Sequence, residues 1–114
     1  MGFNEIDLRR IEKVVGGFCT ERIPDHLRTQ VKVFYEVRGH EVKIIESRPT
    51  LTGGHLWAES PIAKLKYDPT KMEWELFWSR ASGKWVKYHD LKPARDLKSL
   101  ISEIEADPSG VFYG

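Results

Sequence analysis

Leu8, Ile11, Val15, Phe18 and Cys19 recur at helical spacing, which predicts a helix with one buried stripe. Asn4 is its N-cap, with Asp7 three residues on, and Gly16, Gly17 and then Pro24 weaken and end it, so the helix is expected over about residues 4 to 22. From Gln30 the period drops to two: Val31, Val33, Tyr35 and Val37 alternate with Lys32, Phe34, Glu36 and Arg38, as in a strand. Gly39 and His40 make a two-residue turn. Closing it sets Val37 against Val42 and Tyr35 against Ile44, while Arg38 meets Glu41 and Glu36 meets Lys43. A slip of one residue would scramble both sets, so the register is well specified.

Asp68, Pro69, Thr70 and Lys71 read as a type I turn with Pro at its second position. Closing that turn pairs Tyr67 with Met72, Leu65 with Trp74 and Ala63 with Leu76, and on the other face Lys66 with Glu73 and Lys64 with Glu75. Strands are expected at about 61 to 68 and 71 to 80. Ala81, Ser82 and Gly83 suit a three-residue hairpin loop leading to a fifth strand from Lys84 to His89, with Trp78 facing Val86 and Leu76 facing Tyr88. Asp96 then caps a second helix with the stripe Leu97, Leu100, Ile101 and Ile104, stopped by Asp107 and Pro108. Val111, Phe112 and Tyr113 are too apolar to trail free and should dock on the body.

The expected architecture is α+β: a five-stranded antiparallel meander sheet with the N-terminal and C-terminal helices packed on one face. Arg48 to Ser60 is read as a long connection, in which Thr52, Gly53, Gly54, His55 and Leu56 lead to the aromatic Trp57.

With 114 residues the chain reads as one domain, and 40% hydrophobic with 31% charged residues excludes a disordered chain or a membrane span. Eighteen Lys and Arg against seventeen Asp and Glu leave a net charge of +1, too little for a general attraction to nucleic acid or an anionic membrane. Cys19 is the only cysteine, so no intrachain disulfide forms and a reducing, cytoplasmic setting is expected. The charges among Glu5, Asp7, Arg9, Arg10, Glu12 and Lys13 do not allow a signal peptide's apolar centre.

Candidate chemistry is sparse. His26, His40, His55 and His89 have no spacing that seats two ligands on one element, so no metal and no cofactor is expected. Cys19 lies on an apolar stripe with no base to activate it. Pro24 and Asp25 followed by Glu41, Val42 and Lys43 match the acidic and lysine arrangement of a small metal-dependent nuclease, but the first hairpin already accounts for Glu41 and Lys43. Between Arg80 and Lys98 six basic residues stand against Asp90 and Asp96, and Arg80, Lys84, Trp85, Lys87 and Tyr88 could hold single-stranded nucleic acid by charge and stacking. A solvated edge strand carries the same composition, and that reading is preferred.

Two further surfaces stand out. Glu46 and Arg48 continue the side of Val42 and Ile44, and Arg80 continues that of Trp74, Leu76 and Trp78. Glu46, Arg48, Trp57, Trp78 and Arg80 thus form a candidate anion-binding margin, with an Arg–Glu salt bridge as its purely structural alternative. On the opposite face Phe34 pairs with Ile45 and Ile62 with Phe77, near Trp85, as an apolar row that a homodimer would bury.

From Phe18-Cys19 with Arg22 and Pro24, through Arg48-Pro49, Trp57, Pro61 and Ala63-Lys64, Trp74 with Trp78 and Arg80, Lys84-Trp85 with Tyr88, to Asp107-Pro108 and Phe112-Tyr113-Gly114, the chain resembles a bacterial domain-of-unknown-function family, three-zero-two-four. That resemblance implies a small freestanding bacterial protein and assigns no activity or catalytic residue. The residues therefore favour a non-enzymatic binding module whose partner is an unidentified protein or anionic ligand. Nucleic acid is the second reading and a nuclease the third.

Overall fold

The computed structural model describes residues 2–27, 30–50 and 57–112, and for Asp25 the backbone alone. The N-terminal helical run is α1 (Glu5–Ile11), a π-helical segment (Glu12–Gly16) and α2 (Gly17–Arg22). Asn4 caps it, its side chain accepting the Asp7 N–H at 2.8 Å. The run covers the expected span to residue 22, and Gly16 and Gly17 lie inside it. The stripe of Ile11, Val15, Phe18 and Cys19 is buried against the sheet, and that packing outweighs the roughly 1 kcal/mol each glycine costs.

Five antiparallel strands follow in the order β1 (Lys32–Arg38), β2 (Glu41–Pro49), β3 (Trp57–Asp68), β4 (Glu73–Ser79) and β5 (Trp85–Lys87), each beside its sequence neighbour. The last helix is α3 (Leu97–Ala106), where the Asp96 carboxylate accepts the Lys98 N–H at 3.0 Å. Its stripe of Leu97, Leu100, Ile101 and Ile104 joins that of the first helical run over Val42, Ile44, Ala63, Leu65, Trp74 and Leu76. The fold is the expected α+β arrangement of one meander sheet with both helical layers on one face.

The first hairpin has the expected register, from Val37 opposite Val42 to Phe34 opposite Ile45. The last hairpin also agrees: Trp78 faces Val86, the Leu76 carbonyl accepts the Tyr88 N–H at 2.8 Å, and Gly83 takes a φ of +87°.

The middle hairpin is shifted. Tyr67 stands opposite Trp74, Leu65 opposite Leu76, Lys66 opposite Glu75 and Lys64 opposite Phe77, each two residues beyond the expected partner. A type I turn twists the wrong way for a two-residue hairpin, so the loop lengthens and Met72 enters the left-handed region at φ +55°. The Asp68 carboxylate holds the turn, accepting the N–H groups of Thr70 and Lys71 at 2.9 and 3.3 Å. A shift of two preserves the faces, so the core is the expected one despite the wrong pairs.

The expected long connection is largely strand, since β2 runs to Pro49 and β3 begins at Trp57, with Pro49 opposite Trp57. Thr52 to Leu56, expected within that connection, lie outside the described residues. Between Ile44, opposite Ala63, and Ile45, opposite Pro61, Ile62 is an extra residue and forms a β-bulge. Proline cannot donate to a ladder and tolerates a central strand at such irregularities, which is how Pro61 sits inside β3.

Val111 packs on the core and Phe112 is buried against Tyr88, the ring centroids 5.2 Å apart, so the C-terminal segment docks as expected as far as it is described; Tyr113 lies outside.

Candidate functional site

Side-chain alternation from the observed register sorts the sequence candidates by face. The outer face, away from the helices, carries Phe34, Ile45 and Pro61 directly abreast on β1, β2 and β3. Ile62, expected in that row, is instead buried in the helix-side core at 4% exposure, because the bulge turns it inward and leaves Pro61 in its place. Phe77 and Trp85 extend the outer surface onto β4 and β5, each half-buried.

Between them lies Lys64, which sequence reading treated only as a charge partner. Its ammonium is 5.2 Å from the ring centroids of both Phe77 and Trp85 and 3.5 Å from the Glu41 carboxylate. Lys43 stands directly opposite Lys64, and the carboxylate and ring faces offset that like-charge pairing. The outer face is thus an apolar row with a partly desolvated cation set into it. A proline within a strand pattern was the available signal for the bulge and hence for the row's true third member.

The anion-binding margin is divided by the sheet. Glu46 and Arg48 share the helix side and form a salt bridge, with Arg48 the more exposed at 66% of its side chain against 18% for Glu46. Trp78 is half-buried there, packed on the core. Trp57 pairs with Pro49 and therefore belongs to the outer face, where the Lys32 ammonium lies 4.5 Å from its ring centroid. Arg80 is exposed beyond the end of β4, its backbone closing the hairpin loop by 2.9 and 2.8 Å bonds with Lys84 and Gly83. Trp57 and Arg48 thus do not line one pocket.

The basic strip is also broken up. Tyr88 is buried at 3% exposure and donates its hydroxyl to Glu103 at 2.6 Å, which removes it as a stacking platform. Burial, then that hydrogen bond, push its phenol from 10.0 up to about 12. Lys87 lies 3.6 Å from Glu75, Trp85 is covered by Lys64, and Arg80 and Lys84 remain exposed.

For the nuclease arrangement, Glu41 is engaged by Lys64, and no group of three or more His, Cys, Asp or Glu side chains comes together among the described residues. The Asp25 side chain lies outside them. Cys19 is buried, and burial pushes its thiol from 9.0 up to about 11, which keeps it protonated and a poor nucleophile at neutral pH.

One further feature escaped the sequence reading. A groove of about 540 Å³ runs between α2 and β1, lined by Cys19, Thr20, Ile23, Val31, Val33 and Phe34. It adjoins a second of about 440 Å³ that reaches Glu12, Gly16, Gly17 and Tyr35. The two glycines leave this space open: a Cβ on Gly17 would touch nothing within 4 Å, whereas one on Gly16 would stand 3.4 Å from the Tyr35 ring.

No described helix is long and apolar enough to cross a membrane. No curated protein and no solved structure matches this chain. A family model does match it, over residues 3–114, and on that match the chain belongs to DUF3024, a domain of unknown function.

Proposed function

We propose that this chain is a non-enzymatic binding module that engages a protein partner through the outer face of its sheet. The observation that carries the reading is the alignment of half-buried Phe34 and exposed Pro61 on either side of Ile45, itself 7% exposed, on the face neither helical layer covers. Phe77 and Trp85 widen that row with aromatic side chains of the kind interfaces favour, with the Lys64 ammonium held over both rings. The Arg48 margin is the weaker support for an anionic ligand, since its aromatic member Trp57 lies across the sheet.

Site-directed photocross-linking tests the reading. Benzoylphenylalanine placed at Phe77 should form adducts with a protein partner in cells. The same probe at Ile6, exposed at 72% on α1, should form none. Adducts confined to position 6 would overturn the proposal.

A further inference from the structure

We infer that a second copy of this chain joins the first through the free edge of β1 about a two-fold axis at Phe34, extending the outer face on which the binding-module reading above rests. β1 ends the sheet, and none of its seven residues is buried. The two-residue turn at Gly39 and His40 makes Arg38 and Glu41 a hydrogen-bonded pair, so Val33, Tyr35 and Val37 direct their backbone groups away from β2. Val31, next in that series, sends its N–H outward to the Leu27 carbonyl at 3.0 Å.

The charge pattern selects one self-pairing. With Phe34 on the axis, Lys32 falls opposite the partner's Glu36, and the symmetry repeats that pair. Val33 then meets the partner's Tyr35 on the helix side, where the groove along α2 gives side chains room. An axis at Tyr35 sets Lys32 against Arg38, two like charges made twice. An axis at Val33 leaves Lys32 opposite Phe34 and Glu36 opposite Gln30. Any register centred between residues sets inner apolar positions against outer polar ones. Glu36 makes no ion pair among the described residues of its own chain, so it is available to the partner's lysine.

The same axis joins the two outer rows. Phe34 meets its own copy at the centre, and each row continues to Ile45 and Pro61, giving one apolar band across a ten-stranded sheet. The pairing also covers an edge that β1 otherwise leaves without a proline, glycine or bulge to block it.

Sedimentation equilibrium at micromolar concentrations tests the pairing, with circular dichroism to confirm folding. The wild type should have twice the 13.2 kDa chain mass. Lys32→Glu and Glu36→Lys should each weaken dimerisation by about tenfold, since each creates two like-charged contacts across the axis. The double exchange Lys32→Glu with Glu36→Lys should restore it. A monomeric wild type overturns the inference, as does a dimer indifferent to both single reversals. Position 77 lies on β4, three strands from the axis, so its adducts report the outer-face partner and the mass reports the dimer. Adducts with a monomeric wild type would remove the dimer and leave the binding module standing, whereas a β1-dependent dimer without outer-face adducts would do the reverse.

Discussion

Ile45 on β2 faces Pro61 on β3, and the next residue, Ile62, turns through the sheet into the core at 4% exposure. This bulge decides which of two adjacent apolar residues supports the fold and which is offered to the outside.

Ile62→Ala should therefore cost about 2–5 kcal/mol, as for any large aliphatic side chain removed from a packed core. Pro61→Ser, at an exposed position, should cost well under that, within about 1 kcal/mol. Urea unfolding of both variants checks the contrast, and equal losses would contradict the bulge.

Arg48 continues the helix side of Val42 and Ile44 without sharing their burial. Its side chain is 66% exposed, so solvent screens its bond to Glu46. Arg48→Ala should shift the unfolding free energy by no more than about 1 kcal/mol, measured by denaturant titration.

Met72 holds a φ of +55° while its side chain is 60% exposed, so it bears left-handed strain without a packing return. Met72→Gly should stabilise the protein by about 1 kcal/mol, seen as a higher Tm. A decrease would mean the side chain contributes more than its exposure indicates.

Alkaline pH should destabilise the fold. Cys19 is raised from 9.0 to about 11 and Tyr88 from 10.0 to about 12, so in both cases the folded state favours the protonated form. The unfolded chain loses these protons first, which means it binds fewer protons and stability falls with rising pH. Their contribution is complete below about pH 9 and declines up to about pH 12. Tm measured across that range should fall, and Tyr88→Phe should flatten the upper part of the decline. At neutral pH the same variant should cost about 1–3 kcal/mol, because Glu103 loses its hydroxyl donor. Iodoacetamide should leave Cys19 unmodified at neutral pH until the chain is unfolded.

Local rules were enough for much of this protein. Alternation and charge matching around Gly39 and His40 set the first hairpin, because a two-residue turn admits one register and a slip would expose every valine. Asp96 and the Leu97, Leu100, Ile101 and Ile104 stripe likewise defined α3, and Gly83 the last loop. The stripe from Ile11 to Cys19 also defined the first helical run, which ends at Arg22. Two features depended on contacts distant in sequence. The β3–β4 register moved by two because strand twist, a property of the assembled sheet, rejected the short turn that Asp68 to Lys71 spells. The candidate site was divided for the same reason: Trp57 and Arg48 fall on opposite faces only once β2 and β3 extend to Pro49 and Trp57 and pair, and Ile62 leaves the outer row only once Ile45 must face Pro61. Residue types and spacings determine which side chains alternate, but pairing between strands determines which of them meet.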